Sequence, residues 1–353
     1  MTGSMTAAVY YGPGDVRIER RPIPVPAPGE VLVRVLRSGM CGTDASEWKS
    51  GPKIFPVGGT PHATSGHSGP MILGHEFVGE IVDAGDSGFA EGDRVASGAG
   101  ISCGTCVRCL EGRTNLCLNY VTLGLNRDGG MAEYVAVPVS TLEPIPADLN
   151  IDYAGLAQPL AVGLHAARRS GAKDGDQIVI IGSGAIGTFV LAALVSLVDA
   201  TITVVDFAGP RLDRARRLGA HHTVAAGEDA AEQVRAIVGA GADVVIEASG
   251  APGQLDVALH FTRRGGLLLQ VGLPALPQPL DVHHLVMNEI TIESTLAHVC
   301  KDDLAPALAI LGSTELAELL AESTHPLNEI SDQLELLATG QIQGKVLFDP
   351  TLG

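Results

Sequence analysis

The run Ile178-Val179-Ile180-Ile181-Gly182-Ser183-Gly184-Ala185-Ile186-Gly187 decides the fold of half of this chain. Its four branched aliphatic residues read as a strand buried on both faces, and the apolar stretch Thr188 to Leu197 that follows reads as a helix. The glycines between them meet three separate needs. Gly182 turns tightly, Gly184 lets the backbone approach a pyrophosphate, and Gly187 allows helix to pack closely on strand. The free N–H groups at the helix start, around Ala185 and Ile186, then receive the phosphates. Asp206 ends the next strand 19 residues after Gly187. There a carboxylate can accept hydrogen bonds from the adenosine ribose hydroxyls and would repel a 2′-phosphate, so NAD is favoured over NADP. A tight turn with a capping Asp is the bland alternative.

Outward from this run, the all-apolar strands Gln177–Ile181, Thr201–Val205, Asp243–Ile246 and Gly266–Val271 are separated by Ala-rich helical stretches. That rhythm predicts a parallel, doubly wound sheet. Upstream, from Thr6 to about Pro146, short Val-rich runs (Glu30–Leu36, Phe77–Val82, Glu133–Val137) alternate with Gly and Pro, which predicts a β-rich domain. Beyond Ala297 come helices at Asp302–Leu311 and Asn328–Leu337 and a strand at Gly344–Phe348. This tail is expected to rejoin the first domain. The fold class is α/β in two domains: residues 1–158 with 297–353 form the β-rich one, and residues 159–296 bind the dinucleotide. The four residues ahead of Met5 are left out of this reading.

The chain has 353 residues and is 46% hydrophobic, enough for two sizeable cores. With 23 Lys and Arg against 40 Asp and Glu, its net charge of −17 argues against nucleic acid as a partner. Apolar runs such as Phe189–Val198 are shorter than the roughly 18 residues that cross a bilayer. The first basic residue is Arg17, so no cationic leader is apparent, and a cytoplasmic protein without a membrane partner is expected.

Cys103, Cys106, Cys109 and Cys117 are spaced C-x2-C-x2-C-x7-C in a loop without apolar periodicity. Four thiolates around one tetrahedral zinc are the favoured reading, and such a closed shell stiffens a loop rather than catalyses. Disulfides and an iron–sulfur cluster are the alternatives. A second constellation is scattered: Cys41 in Met40-Cys41-Gly42-Thr43-Asp44, His75 in Gly74-His75-Glu76, and Gln158 in Ala157-Gln158-Pro159-Leu160. Singly, these read as a buried thiol, a core histidine and a helix-start amide.

Together, and in this order with the glycine fingerprint, they resemble the zinc-dependent medium-chain alcohol dehydrogenases, from about Thr6 to the C-terminus. The resemblance implies a GroES-like catalytic domain and a Rossmann cofactor domain, with the active site in the cleft. It implies NAD and two zinc ions per chain, one structural and one catalytic. The catalytic ion would be bound by Cys41, His75 and Gln158, with Glu76 as a nearby or alternating ligand. Thr43 would hydrogen-bond the substrate oxygen and begin the proton relay. Val271, Gly272 and Leu273 would line the nicotinamide, and Arg211 would contact the adenosine end. A homodimer or homotetramer with Rossmann sheets joined edge to edge is also implied.

Two positions depart from the family pattern. Polyol and diol members commonly carry Glu where this chain has Gln158, so that ligand loses its negative charge. The histidine that often passes the proton to solvent is replaced by Ser46. The Gly- and Pro-rich loop Ser50–Pro70 looks like that of bacterial 2,3-butanediol dehydrogenases, and Trp48 and Phe55 are expected to wall the substrate pocket, with plain packing as the alternative. His62, His67, His221, His222, His283 and His284 read as structural, and Cys300 as a small buried apolar residue. The expected reaction is hydride transfer between NAD and a secondary alcohol or vicinal diol. A polyol or sugar dehydrogenase is the runner-up, and a noncatalytic nucleotide-binding sensor or structural protein is the reading from another class.

Overall fold

The computed structural model describes residues 3–352 and divides into two compact units, Met1–Ala161 with His298–Gly353, and Val162–Ala297. The chain passes from the first to the second inside the helix Ala157–Arg169, so no linker marks the boundary.

The second unit is a six-stranded parallel sheet. Its spatial order is His222–Ala225, Thr201–Asp206, Gln177–Ile181, Ala242–Glu247, Thr262–Gln270 and Thr291–Ser294. In chain order this is 3-2-1-4-5-6, the doubly wound arrangement, whose ligand site lies at the carboxyl ends of the strands where the order reverses. The central strands read as continuous apolar runs because helices cover both faces; Ile178 to Ile181 and Ile202 to Val205 are all buried. Gly187 has a specific steric reason. A Cβ there would lie 1.8 Å from the Gly182 carbonyl oxygen, so any side chain would drive the helix Ala185–Leu197 off the strand. The strand Thr262–Gln270 begins four residues before the expected start at Gly266 and stops one short of Val271.

The first unit is built on a seven-stranded sheet centred on Glu30–Gly39, which pairs antiparallel with Glu76–Asp83, Tyr134–Pro138 and the late strand Lys345–Asp349. The C-terminal tail therefore lies in this sheet, where Lys345–Asp349 also pairs in parallel with Ala321–Pro326. The register sets Gly39 opposite Glu76, which brings the segments just beyond both strand ends, Cys41 and His75, side by side. Only glycine fits at 39, since a Cβ would meet the Glu76 carboxylate at 2.5 Å. Gly74 has φ +99° with Met131 N 2.6 Å from where a Cβ would stand, so it turns the chain into His75 in a conformation closed to other residues.

The helix Gly42–Ser50, directly after Cys41, lies in the β-rich domain without a sequence signal. It is short and mostly polar, so apolar periodicity gives no signal. What starts it is the Asp44 carboxylate, which accepts the Cys41 N–H at 2.9 Å as in a capping box.

Gly187→Ala is expected to cost about 1–3 kcal/mol of stability through overpacking. Urea unfolding checks this, and an unchanged midpoint with unchanged slope would refute it.

Candidate active site

Within the first unit, ligand atoms of Cys41, His75 and Glu76 lie within 4.8 Å of one another. His75 and Glu76 are buried, and several polar atoms there have no hydrogen-bond partner: His75 Nδ1, Glu76 Oε1 and Asp44 Oδ1. Burial should strip a proton from the imidazole, yet the Cys41 thiolate and the Asp44 carboxylate, with Glu76 behind them, push His75 up to about 10. So dense a negative field around soft and borderline donors fits a divalent cation of the zinc type. Asp44 Oδ1 stands 3.8 Å from His75 Nδ1, where it reinforces that field. Thr43 Oγ1 lies 3.8 Å from Cys41 Sγ, at the start of the helix Gly42–Ser50.

Sequence reasoning missed Lys345. Its ammonium is only 5% exposed, sits 2.5 Å from Glu76 Oε2 (itself 1% exposed) and donates to the Met40 carbonyl at 2.7 Å. Burial alone would lower its pKa, but Glu76 and then Cys41 hold it raised, so the charge is kept. No local motif announces it, because Lys345 arrives from 269 residues downstream of Glu76.

Gln158 lies half-buried in the first turn of the helix Ala157–Arg169. Ser46 is half-buried, and its hydroxyl accepts from Lys53 Nζ at 2.7 Å. The two aromatic residues expected at the substrate wall are engaged in packing. Phe55 is 3% exposed and meets Tyr10 edge to face with ring centroids 5.0 Å apart. Trp48 packs on the same core cluster and points its indole N–H at Glu335, 3.3 Å away. At the base of this loop the buried Glu47 carboxylate accepts the N–H groups of Lys53 and Ile54.

Cys103, Cys106, Cys109 and Cys117 also converge within 4.8 Å, and none is in a disulfide. Sulfur separations of 3.5 Å (Cys106 to Cys109) and 3.9 Å (Cys106 to Cys117) bracket the about 3.8 Å edge of a tetrahedral zinc–thiolate site. Backbone N–H groups of Cys106 and Asn119 point at the sulfurs of Cys103 and Cys117. Hydrogen bonds from Thr105 and Cys106 pull the Cys103 thiol down to about 5.

In the second unit, a cavity of about 370 Å³ is lined by Gly182, Gly184, Asp206, Arg211, Ser249 and Gln254, among others. Asp206 accepts the Ser183 N–H at 2.5 Å on one oxygen and the Phe207 N–H at 2.6 Å on the other, so its carboxylate is held rigidly at the cavity wall. Arg211 approaches it to 3.9 Å. Ala185 and Ile186 open the helix whose N-terminus borders this cavity, with Gly187 packed behind them. Val271 and Gly272 hydrogen-bond the carbonyl of Glu247, and Leu273 is exposed.

Residues 27–147 match the alcohol dehydrogenase GroES-like domain, and residues 185–313 match the zinc-binding dehydrogenase domain. The sorbitol dehydrogenase of Bacillus subtilis is 37% identical over 82% of this chain and 81% of its own. The chain belongs to the zinc-dependent alcohol dehydrogenase family. It is also 33% identical to the (R,R)-butanediol dehydrogenase of Neisseria gonorrhoeae over 99% of this chain and 100% of that one. The solved structure of the 2R,3R-butanediol dehydrogenase of Bacillus subtilis superposes with a TM-score of 0.89 at 29% identity, covering 98% and 100% of the two chains. Among solved relatives, an Escherichia coli alcohol dehydrogenase holds NADH (25% identity, TM-score 0.87, 98% and 100% covered). A zinc-binding dehydrogenase of Sinorhizobium meliloti holds NADP (29%, TM-score 0.85, 99% and 100% covered). This dehydrogenase is thus a zinc-binding oxidoreductase acting on CH–OH groups with a nicotinamide cofactor. Among the described residues, no helix is long and apolar enough to cross a membrane.

Two zinc ions per chain of unequal lability are expected, since four thiolates close one site while the other has mixed donors. Metal analysis before and after brief chelation checks this, and loss of both ions together would contradict it. Separately, Lys345→Met should destabilise the fold by about 3–5 kcal/mol by leaving a buried carboxylate unpaired. In the double variant with Glu76→Gln the cost should fall well below the sum of the singles, and strict additivity would refute the pairing.

Proposed function

We propose that this enzyme catalyses reversible NAD-linked oxidation of a secondary alcohol or small vicinal diol to the ketone, with 2,3-butanediol and acetoin as the first pair to test. The observation that carries the chemistry is the Cys41–His75–Glu76 cluster, with His75 and Glu76 buried and polar atoms there unpartnered. In this reading Cys41, His75 and Gln158 hold the catalytic ion, with Lys345 restraining Glu76 beside it, and Cys103, Cys106, Cys109 and Cys117 hold the structural one. When bound, zinc supplies a Lewis acid that lowers the pKa of the substrate hydroxyl, and the nicotinamide accepts the hydride. Thr43 would accept the proton from that hydroxyl while passing its own hydroxyl proton onward. Ser46, one helical turn further along with Lys53 on its oxygen, leads toward solvent in place of a histidine. Gly182, Gly184, Ala185, Ile186 and Gly187 cradle the pyrophosphate, Asp206 and Arg211 the adenosine ribose, and Val271, Gly272 and Leu273 the nicotinamide.

The diol reading is supported by a relative of that name that aligns along 99% of the chain. A polyol substrate is the second reading, favoured by the 37% identity to a sorbitol dehydrogenase. NADH absorbance followed over a panel of diols, polyols, sugars and ethanol separates the two. Strong hexitol turnover without diol turnover would overturn the first reading and leave the zinc and hydride chemistry standing.

We further infer a cytoplasmic homo-oligomer. None of the six cysteines is in a disulfide, which fits a reducing compartment. The strand Thr291–Ser294 pairs on one side only among the described residues, and exposed Val282, Val286 and Met287 lie close by in sequence. Light scattering at a monomer mass would refute the oligomer.

Asp206→Ala is expected to narrow the preference for NAD over NADP, mainly by weakening NAD. Equal catalytic efficiency with both cofactors in the unaltered enzyme would sink the assignment. Gln158→Glu is expected to hold zinc more tightly and to move the pH profile of alcohol oxidation upward, because a less positive site lowers the substrate hydroxyl's pKa less. Unchanged zinc retention together with an unchanged profile would mean that Gln158 is not a ligand.

A further inference from the structure

Glu247 ends the fourth strand in chain order of the parallel sheet, Ala242–Glu247, and it is a carboxylate only 1% exposed with no cation as its partner among the hydrogen bonds it makes. Its neighbours in register are Ile181 on one side, immediately before Gly182, and Gln270 on the other. Oε1 accepts the N–H groups of Ser249 at 2.8 Å and Gly250 at 3.0 Å, as well as the Ser249 hydroxyl. Oε2 accepts the Gln270 side-chain amide at 2.6 Å, and the same amide donates to the Gly272 carbonyl at 2.6 Å. The Glu247 backbone carbonyl receives both Val271 N–H and Gly272 N–H at 2.8 Å.

These bonds tie together two loops that otherwise have no regular structure to hold them. One, residues 248–251, contributes Ala248, Ser249 and Ala251 to the cavity that Asp206 and Gly184 also line. The other is 271–273. Their contact is tight: a Cβ on Gly272 would stand 2.2 Å from Gly250 N and 2.7 Å from Glu247 Oε2, so the close approach demands glycine. A buried carboxylate satisfied by neutral donors is costly to place unless those donors are fixed, and removing it leaves the Ser249 and Gly250 N–H groups and the Gln270 amide without that acceptor. Such a group has little reason to occupy the carboxyl edge of the sheet for stability alone, where an apolar side chain would avoid the desolvation.

We propose that Glu247, acting through Gln270, is a positioning residue for the cofactor: it locks the 271–273 loop against the 248–251 loop so that the nicotinamide end of the dinucleotide is held in one place. This rests on the reading of 271–273 as the nicotinamide segment. Gln270 carries the link to that loop, whereas Glu247 serves both loops. The two residues should therefore separate in their effects.

Calorimetric titration of the zinc-loaded enzyme with NADH and with ADP-ribose, which lacks the nicotinamide, tests this. Gln270→Met should weaken NADH about five- to tenfold and leave ADP-ribose within about twofold. Glu247→Ala should weaken NADH further and ADP-ribose as well, and Glu247→Gln, which can still accept both N–H groups, should restore most of the ADP-ribose affinity. Gln270→Met with the NADH to ADP-ribose ratio of the unaltered enzyme overturns the proposal. If Glu247→Ala does not fold, the Gln270→Met ratio alone decides. Failure of the unaltered enzyme to prefer NADH over ADP-ribose would instead count against the assignment of 271–273 to the nicotinamide.

Discussion

The antiparallel pairing of Glu30–Gly39 with Glu76–Asp83 is the constraint on which the chemistry of this enzyme depends. It joins two segments more than 30 residues apart and sets Gly39 opposite Glu76, so the chain leaves the first strand and enters the second at the same end of the pair. Cys41 and His75 then have no freedom to lie far apart. The two glycines at this corner, Gly39 and Gly74, are there because a side chain at either would collide with the Glu76 carboxylate or the Met131 backbone.

Cys41, His75, Asp44 and Glu76 crowd into that corner, the last three buried, and negative charge there is costly without a counter-charge. Lys345 supplies one from the last strand, anchored by the Met40 carbonyl. A divalent ion would supply the rest. The register of the C-terminal strand against Ser38 and Gly39 is therefore as much a part of the site as the zinc donors are, and the tail rejoins the first unit for electrostatic as well as packing reasons.

The second unit holds its carboxylates mainly with backbone and amide dipoles, although Arg211 also stands 3.9 Å from Asp206. Asp206 is fixed by the N–H groups of Ser183 and Phe207, and Glu247 by those of Ser249 and Gly250 and by Gln270. Both carboxylates stand at the carboxyl edge of the parallel sheet, one beyond each neighbour of the central strand Gln177–Ile181. Charge there can be held without a metal because backbone amides at strand ends and helix starts are already aimed outward. The same geometry suits a pyrophosphate.

Much of this was legible in the residues alone. The glycine fingerprint, the run of apolar strands and the four-cysteine spacing each report a local requirement: a tight turn, two buried faces, a closed metal shell. Such requirements leave their mark within a few residues of where they act. What the chain could not display locally is what tertiary structure decided. The helix Gly42–Ser50 has no apolar period and is started by one carboxylate. Phe55 and Trp48 read equally as pocket wall or core from sequence, and the fold packs Phe55 into a core cluster with Trp48 against it. Lys345 and Glu247 look like ordinary strand-end charges until strand register sets one against Glu76 and the other between two loops. Their roles depend on partners brought together by hydrogen-bonded pairing across the sheet, and one sequence read along its length carries no measure of that register.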